Sequence, residues 1–116
     1  MTPVKLYGIP NCDTVKKARA WLKERGREVD FHDYKKAGVP LDRLDAWLRA
    51  AGWERVLNRK GNAWRALDEG LRDGVVDAAG AKRVMLDHAS TIKRPIVEWP
   101  DGAITVGFDE HDWSRR

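Results

Sequence analysis

The chain has 116 residues, the length of one domain, and its 42% hydrophobic and 34% charged residues favour a packed core over disorder. The formal net charge of +4 is spread among acidic residues without a dense basic run, so nucleic-acid binding is not expected. No signal-peptide core and no apolar stretch of membrane-spanning length is visible, so we expect no membrane partner. A single cysteine excludes an internal disulfide, and we therefore expect the protein in the reducing cytoplasm; we also expect it to be a monomer.

The first third of the chain predicts a strand, a helix and a second strand. Val4 to Tyr7 is a short apolar strand, and Asp13 to Arg25 places apolar side chains on one helical face. Val29 to Tyr34 is rich in β-branched and aromatic residues, which indicates the second strand. A strand–helix–strand unit of this length pairs its strands in parallel through a right-handed crossover.

The middle of the chain is predicted to be helical. Pro40 to Gly52 begins with a proline, ends with a glycine and has apolar residues at helical spacing between them. Trp53 to Leu57 is a shorter piece, and Trp64 to Leu71 resumes helical spacing after a basic loop. Asp77 to His88 forms a further helix that its aspartate can cap.

The last part of the chain returns to strands. Ile96 to Trp99 and Ala103 to Phe108 are strand-like, and the Pro-Asp-Gly turn between them indicates a hairpin. Asp109 can cap a short final helix that contains Trp113. The order of elements predicts an α/β fold: one thioredoxin-like domain over residues 1–116, with a mixed β-sheet and a helical insertion at about 40–75.

Cys12 stands where the first strand is followed by the first helix, after Gly8 and Pro10 have ended the strand. A thiol on the first helical turn lies near unpaired backbone N–H groups and the positive end of the helix dipole. Both favour the thiolate, which is the nucleophilic form of cysteine. The alternative is a small residue that merely fills a turn, and position alone does not decide between the two.

Arg94 and Pro95 form the second informative position. A proline at the first residue of a strand breaks no interior ladder bond, and its peptide bond can be cis or trans on the sequence alone. In a thioredoxin-like fold, the proline before the hairpin faces the active cysteine, which would bring Arg94 near Cys12. Arginine there can stabilise a thiolate or bind an oxyanion; the alternative is a surface arginine beside a structural proline.

These motifs resemble those of the ArsC (arsenate reductase) family, most closely its YffB branch, which is related to the Spx regulators. The resemblance extends over nearly the whole chain and rests on Gly8 to Thr14, Lys16 to Ala18, Phe31 to Tyr34, Gly52-Trp53, Ile92 to Pro95 and Gly107-Phe108. It implies a thioredoxin-like fold and, for this branch, a glutathione-dependent thiol reductase. It also implies that Cys12 is the redox cysteine and that Arg94 helps to hold an anion or thiolate.

Two departures from the family pattern limit the activities that the resemblance implies. Arsenate-reducing members have an arginine in the second hairpin strand, where this chain has Gly107. They use another in the loop that here contains Arg59 and Lys60. The Spx regulators carry a Cys-x-x-Cys switch, whose second position is Val15 in this chain.

The leading hypothesis is a monothiol oxidoreductase with Cys12 and Arg94 as catalytic residues. Its expected substrate-binding residues are Asn11, Thr14, Arg59, Lys60 and Pro95. Glutathione would be the co-substrate, with glutathione, a substrate thiol or glutaredoxin as partners and no bound cofactor. The histidines are too dispersed for a zinc site, so no metal is expected. The alternatives are an Spx-like interaction module that binds RNA polymerase, and an arsenate reductase.

Overall fold

Four strands form one mixed sheet in the computed structural model, which describes residues 2–116. The strands are β1 (Val4–Gly8), β2 (Val29–Asp33), β3 (Ile96–Glu98) and β4 (Ile104–Val106), in the spatial order β2-β1-β3-β4. β1 and β2 are parallel, whereas β1–β3 and β3–β4 are antiparallel. The mixed sheet confirms the predicted fold class, and the parallel β1–β2 pair confirms the pairing predicted for the first third of the chain.

Helix α1 (Asp13–Glu24) connects the two parallel strands. Its buried side chains are those that the helical spacing predicts, namely Val15, Ala18, Trp21 and Leu22. Gly26 follows the helix with φ of 69°, a left-handed conformation that glycine adopts without a steric penalty. The helix therefore ends where the sequence indicates, and the chain turns directly into β2.

The hairpin and the last helix are also held by local hydrogen bonds. The side chain of Asp101 accepts a hydrogen bond from the N–H of Ala103 at 3.0 Å, which fixes the turn between β3 and β4. Helix α8 (Glu110–Trp113) begins after Asp109, whose side chain accepts from the N–H of Asp112 at 3.2 Å. Both elements thus form where the sequence predicts them.

The chain divides into two compact units, of which the first contains the sheet. The first unit is formed by residues up to Gly38 and by Arg94–Arg116, and the second by Val39–Lys93. The core of the first unit joins α1, α8 and one face of the sheet. Its buried members are Val4, Leu6, Val15, Ala18, Trp21, Leu22, Val97, Trp99 and Trp113.

Trp113 lies at the centre of this core. Its ring centroid is 5.8 Å from that of Trp21, 5.2 Å from that of Trp99 and 4.8 Å from that of Phe108, all with edge-to-face geometry. Such pairs contribute beyond the area they bury. The tryptophans of the first unit, Trp21, Trp99 and Trp113, therefore serve packing.

The second unit consists of short helices. They are α3 (Leu41–Ala51), α4 (Trp53–Val56), α5 (Asn62–Arg65), α6 (Glu69–Asp73), α7 (Ala78–Asp87) and a 3₁₀ turn at Ala89–Thr91. Helix α7 is capped as predicted, because the side chain of Asp77 accepts from the N–H of Gly80 at 2.9 Å. No helix within residues 2–116 is both long and apolar enough to cross a bilayer.

Two sequence-based boundaries were wrong. Trp64–Leu71 is not one helix, because α5 ends at Arg65 and Asp68 caps α6 by accepting from the N–H of Gly70 at 3.1 Å. An aspartate that bonds to the backbone at a cap competes with helix continuation. Tyr34 does not end β2 but begins helix α2 (Tyr34–Ala37), which the side chain of Asp33 caps at the N–H of Lys35.

Candidate active site

One end of the sheet collects the residues that the sequence singled out in the first unit. Gly8 and Asp33 are paired at the carboxyl ends of the parallel strands β1 and β2. The first residue of β3, Ile96, pairs with Tyr7 because β3 runs in the opposite direction. Segments that follow β1 or β2 and the segment that precedes β3 therefore emerge at the same end of the sheet.

Cys12 is the N-cap residue of α1 at this end. Its backbone is extended, with φ of −97° and ψ of 126°, and its carbonyl oxygen accepts from the N–H of Lys16 at 2.9 Å. Its side chain makes no capping hydrogen bond, and it is half-buried against the core of the first unit. The sulfur thus adjoins the first helical turn without being engaged there as a cap.

Gly8 brings β1 and α1 together beside Cys12. A Cβ atom on Gly8 would lie 2.9 Å from Cγ2 of Val15, closer than real Cβ contacts. Val15 is itself fully buried in the core and stiff at χ1. The absence of a side chain at Gly8 is therefore what allows the first turn of α1 to pack against the end of the strand.

Arg94 and Pro95 lie at the same end of the sheet and are joined by a cis peptide bond. Pro95 is buried, and its carbonyl oxygen accepts from the N–H of Gly107 at 2.9 Å. Arg94 is half-buried. Gly107 is buried with φ of 86°, a conformation that disfavours any residue with a Cβ atom. An arginine at position 107 would therefore be strained in this backbone conformation.

Aromatic residues stand beside Arg94, and their role was not predicted from the sequence. The ring of His32 lies 5.2 Å from that of Tyr7 and 6.0 Å from that of Tyr34, centroid to centroid. Burial raises the pKa of Tyr34 far above its usual value, and the charges of Tyr7 and Glu98 act in the same direction, whereas Arg94 lowers it. Tyr34 is therefore a neutral phenol at physiological pH, within reach of the field of Arg94.

The side chain of His32 makes a hydrogen bond that gives it a structural role. Its Nε2 lies 2.8 Å from the carbonyl oxygen of Gly38, just beyond helix α2. Within residues 2–116 no group of three or more histidine, cysteine, aspartate or glutamate side chains is arranged to hold a metal ion. The sequence singled out these residues only as part of the motif from Phe31 to Tyr34. The pairing of the strands was needed to show that Tyr34 lies within the field of Arg94.

The remaining predicted site residues fall into two groups. Asn11 and Thr14 are exposed on either side of Cys12. Arg59 and Lys60 are exposed in the second unit. The guanidinium of Arg59 lies 3.6 Å from a carboxylate oxygen of Glu54 and 5.2 Å from the ring centroid of Trp53.

The structure thus places five of the predicted residues together at one end of the first unit: Asn11, Cys12, Thr14, Arg94 and Pro95. The catalytic and binding roles of these five residues, and those of Arg59 and Lys60, stay predictions. A thiol at a helix start that shares a sheet end with an arginine has the elements needed for nucleophilic attack on sulfur.

Comparison with known families and structures agrees with this geometry. Residues 7–115 match the ArsC family. The solved structure of a protein named YffB is 44% identical, with a TM-score of 0.91 over 97% of this chain and 96% of that one. An arsenate reductase (ArsC) related protein from Brucella melitensis is 46% identical, with a TM-score of 0.76 over 98% of this chain and 93% of that one.

Two curated relatives extend the comparison. An uncharacterized protein from Haemophilus influenzae is 37% identical over 110 residues, which are 95% of this chain and 95% of the relative. The global transcriptional regulator Spx from Bacillus subtilis is 26% identical over 116 residues, which are 97% of this chain and 85% of the relative. The similarity therefore includes both reductase-related proteins and regulators.

Proposed function

The chain belongs to the ArsC family, and from that premise we propose that it is a glutathione-dependent monothiol oxidoreductase. One observation carries the proposal: Cys12, the only cysteine of the sequence, is the N-cap residue of α1 at the sheet end where Arg94 also lies, and its side chain makes no capping hydrogen bond there. A thiol that works without a second cysteine in its own chain needs a resolving thiol from another molecule. Glutathione is the abundant thiol of the cytoplasm, where we place the protein.

The proposed reaction exchanges thiols and disulfides in two steps. The Cys12 thiolate attacks the glutathione sulfur of a substrate–glutathione mixed disulfide, and the substrate leaves as a thiolate that takes up a proton. A second glutathione, as thiolate, then attacks the glutathione sulfur bound to Cys12. This step releases oxidised glutathione and restores the Cys12 thiolate. Over both steps, one free glutathione is consumed: its sulfur is oxidised to a disulfide with the glutathione that the substrate carried, and the substrate sulfur is reduced to a thiol.

Arg94 supplies positive charge in this scheme. A guanidinium favours the thiolate of Cys12 and can pair with a carboxylate of glutathione through two parallel hydrogen bonds. The backbone at Pro95 and the exposed side chains of Asn11 and Thr14 would hold the peptide part of glutathione. That Arg59 or Lys60 of the second unit supplies further positive charge for a carboxylate of glutathione stays a prediction from the sequence.

The test is a steady-state assay in which reduced glutathione releases a thiol from a glutathionylated peptide. Cys12→Ser should abolish activity, and Arg94→Ala should lower kcat/KM by about tenfold or more, because the charge-assisted contact with glutathione and the positive charge near the thiolate are both lost. Arg55→Ala removes an exposed arginine of α4 and serves as the matched control. Unchanged activity in Cys12→Ser would refute the proposal, whereas unchanged activity in Arg94→Ala would remove only the role of Arg94.

A regulatory module is the second candidate, and the similarity to Spx favours it. Position 15, three residues after Cys12, is a valine, which has no thiol and cannot be the second half of a disulfide switch. Regulation would therefore rest on binding to RNA polymerase, with Cys12 either without a function or acting as a simple redox sensor. Capture of polymerase subunits by the immobilised protein under both reducing and oxidising conditions would support it, and failure under both would exclude it.

Arsenate reduction is the activity of a third candidate, which the similarity to the Brucella melitensis protein favours. A coupled assay with arsenate, glutathione and glutaredoxin measures it directly. We expect no arsenate-dependent turnover, because this chain has Gly107 where arsenate-reducing members are expected to have an arginine.

A further inference from the structure

A groove on the first unit runs between an exposed face of α1 and one face of β2. Four cationic side chains line it: Lys16, Arg19 and Lys23 from α1, and Arg27 from the connection to β2. Its volume of about 420 Å³ is comparable to that of many ligand sites. Neither Cys12 nor Arg94 belongs to its lining, so the groove is separate from the candidate active site.

The charge of the groove is of one sign. Lys16, Arg19 and Lys23 recur at helical spacing and therefore form one stripe along α1. Within residues 2–116, neither Lys16 nor Lys23 takes part in an ion pair. Of the acidic residues of β2, Asp30 alternates with the lining residues and so projects from the other face, and Asp33, whose side chain caps α2, is not part of the lining. An anionic occupant is therefore favoured.

The floor of the groove is apolar and small. Ala20, Val29 and Phe31 form it, and the last two are half-buried against the core of the first unit. The guanidinium carbon of Arg19 lies 4.2 Å from the centroid of the Phe31 ring and covers its face. No aromatic face of the lining is thus left for stacking a nucleic-acid base, which argues against a single-stranded nucleic acid as the occupant.

The strand beside the groove is at the edge of the sheet. Among the strands of residues 2–116, β2 pairs only with β1, so its outer backbone groups face away from the sheet. An exposed edge is a template for an extended peptide, which adds as a further strand. Every second side chain of such a peptide would point towards the groove, because side chains alternate along a strand.

We propose that this groove and the β2 edge bind an extended acidic segment of a partner protein, which adds to the sheet as a fifth strand. Carboxylates at alternate positions of the segment meet Lys16, Arg19 and Lys23, while its backbone pairs with β2. The proposal does not depend on the redox chemistry of Cys12, since binding can be measured without any turnover.

The test uses a fluorescein-labelled heptapeptide that alternates threonine and glutamate, and measures its fluorescence anisotropy with the full chain at low salt. The double variant Lys16→Glu with Lys23→Glu should weaken binding by about tenfold or more, as expected for reversing two charges at an interface. Arg55→Glu with Arg65→Glu changes the net charge by the same amount at exposed positions of the second unit, and should leave affinity within about twofold.

Two further probes test the strand register and the class of partner. A peptide of the same composition with its glutamates in one block should bind more weakly than the alternating peptide. A short thymidine oligonucleotide with the same number of charges should also bind more weakly. Equal or tighter binding of the block peptide would refute strand addition, and tighter binding of the oligonucleotide would identify a nucleic-acid surface instead.

Amide chemical-shift mapping on the unmodified protein keeps the test valid if the charge-reversed variant does not fold. Addition of the alternating peptide should shift the amide signals of Val29–Asp33 and of the α1 face that contains Lys16 and Lys23. Absence of binding, shifts confined to other segments, or equal loss of affinity in both double variants would each overturn the proposal.

Discussion

At the scale of single residues, the charge that the candidate site presents depends on the protonation state of Tyr34 near Arg94. Arg94 is half-buried at the end of the sheet and acts on Tyr34, whose ring also belongs to the group formed with Tyr7 and His32. A protonated tyrosine carries no charge, so Tyr34 does not neutralise the positive charge of the Arg94 guanidinium. The charge of Arg94 thus stays available for an anion at this end of the sheet.

The raised pKa of Tyr34 has a consequence for stability at alkaline pH. In the unfolded chain its hydroxyl ionises near the ordinary tyrosine value of about 10. In the folded protein it stays protonated to much higher pH, so its contribution to stability is complete below about pH 10 and is lost as the pH rises further. Near pH 11 this group alone should lower the free energy of unfolding by about 1.4 kcal/mol for each pH unit.

Urea unfolding of the wild type and of Tyr34→Phe between pH 8 and pH 11.5 measures this effect. The difference in the free energy of unfolding between the two proteins should be constant below about pH 10 and should shift in favour of the variant above it. Comparing slopes removes the contribution of other groups, which titrate alike in both proteins. A difference that stays constant throughout would show that Tyr34 ionises as easily in the folded protein as in the unfolded chain.

At the scale of elements, the junction of β1 and α1 positions the thiol. The chain must bring α1 close to the strand end, and it does so at Gly8, where a side chain would press on Val15. We expect Gly8→Ala to lower the free energy of unfolding by about 1–3 kcal/mol, the usual effect of overpacking a core. Cys12 would also be displaced, because it lies between these two residues in sequence.

Gly74→Ala is the matched control for this substitution. Gly74 has φ of −76°, and a Cβ atom there would meet only carbonyl oxygens of α6 at 3.5 and 3.6 Å, an ordinary contact distance. This change should be neutral or should stabilise the protein by about 0.4–1 kcal/mol through the unfolded chain. Thermal and urea unfolding give both values. Equal effects at positions 8 and 74 would show that the close approach at Gly8 is relieved without cost.

Some sequence patterns were sufficient to predict the helices, and others were not. Periodicity gave the buried face of α1, and the aspartate at position 77 gave the start of α7, because both features act within a few residues. The break between α5 and α6 was missed, since Trp64–Leu71 keeps its helical spacing across Asp68. The competition between a side-chain cap and a continuing helix is decided by small energy differences that periodicity does not contain.

At the scale of the whole molecule, the candidate site was predictable where its residues flank predicted strands. Cys12 follows β1 and Arg94 precedes β3, so a correct strand order suffices to bring them to one end of the sheet. The environment of Tyr34 was not predictable, because it depends on side chains from three strand regions. The position of β2 at the edge of the sheet was not predictable either, since the sequence alone does not say which strand has no second neighbour.

The net charge of the chain predicts the relative rates at which Cys12 forms a disulfide with glutathione and with a second copy of the chain. With one cysteine, an oxidised chain can pair only with another molecule, either a second copy or glutathione. Two copies each carry a net charge of +4 and repel one another, whereas glutathione is an anion and is attracted. Salt screens both interactions, with a Debye length of about 30 Å at 0.01 M and about 3 Å at 1 M.

Raising the salt concentration should therefore slow the formation of the glutathione mixed disulfide and speed the formation of a disulfide-linked dimer. Intact-mass measurement after treatment with oxidised glutathione follows the first product, and non-reducing electrophoresis after treatment with diamide follows the second. Cys12→Ser should give neither product. Salt effects of the same sign on both products would show that the field near Cys12 differs from that of the whole chain, so that local charges such as Asp13 outweigh the net charge at this end of the sheet.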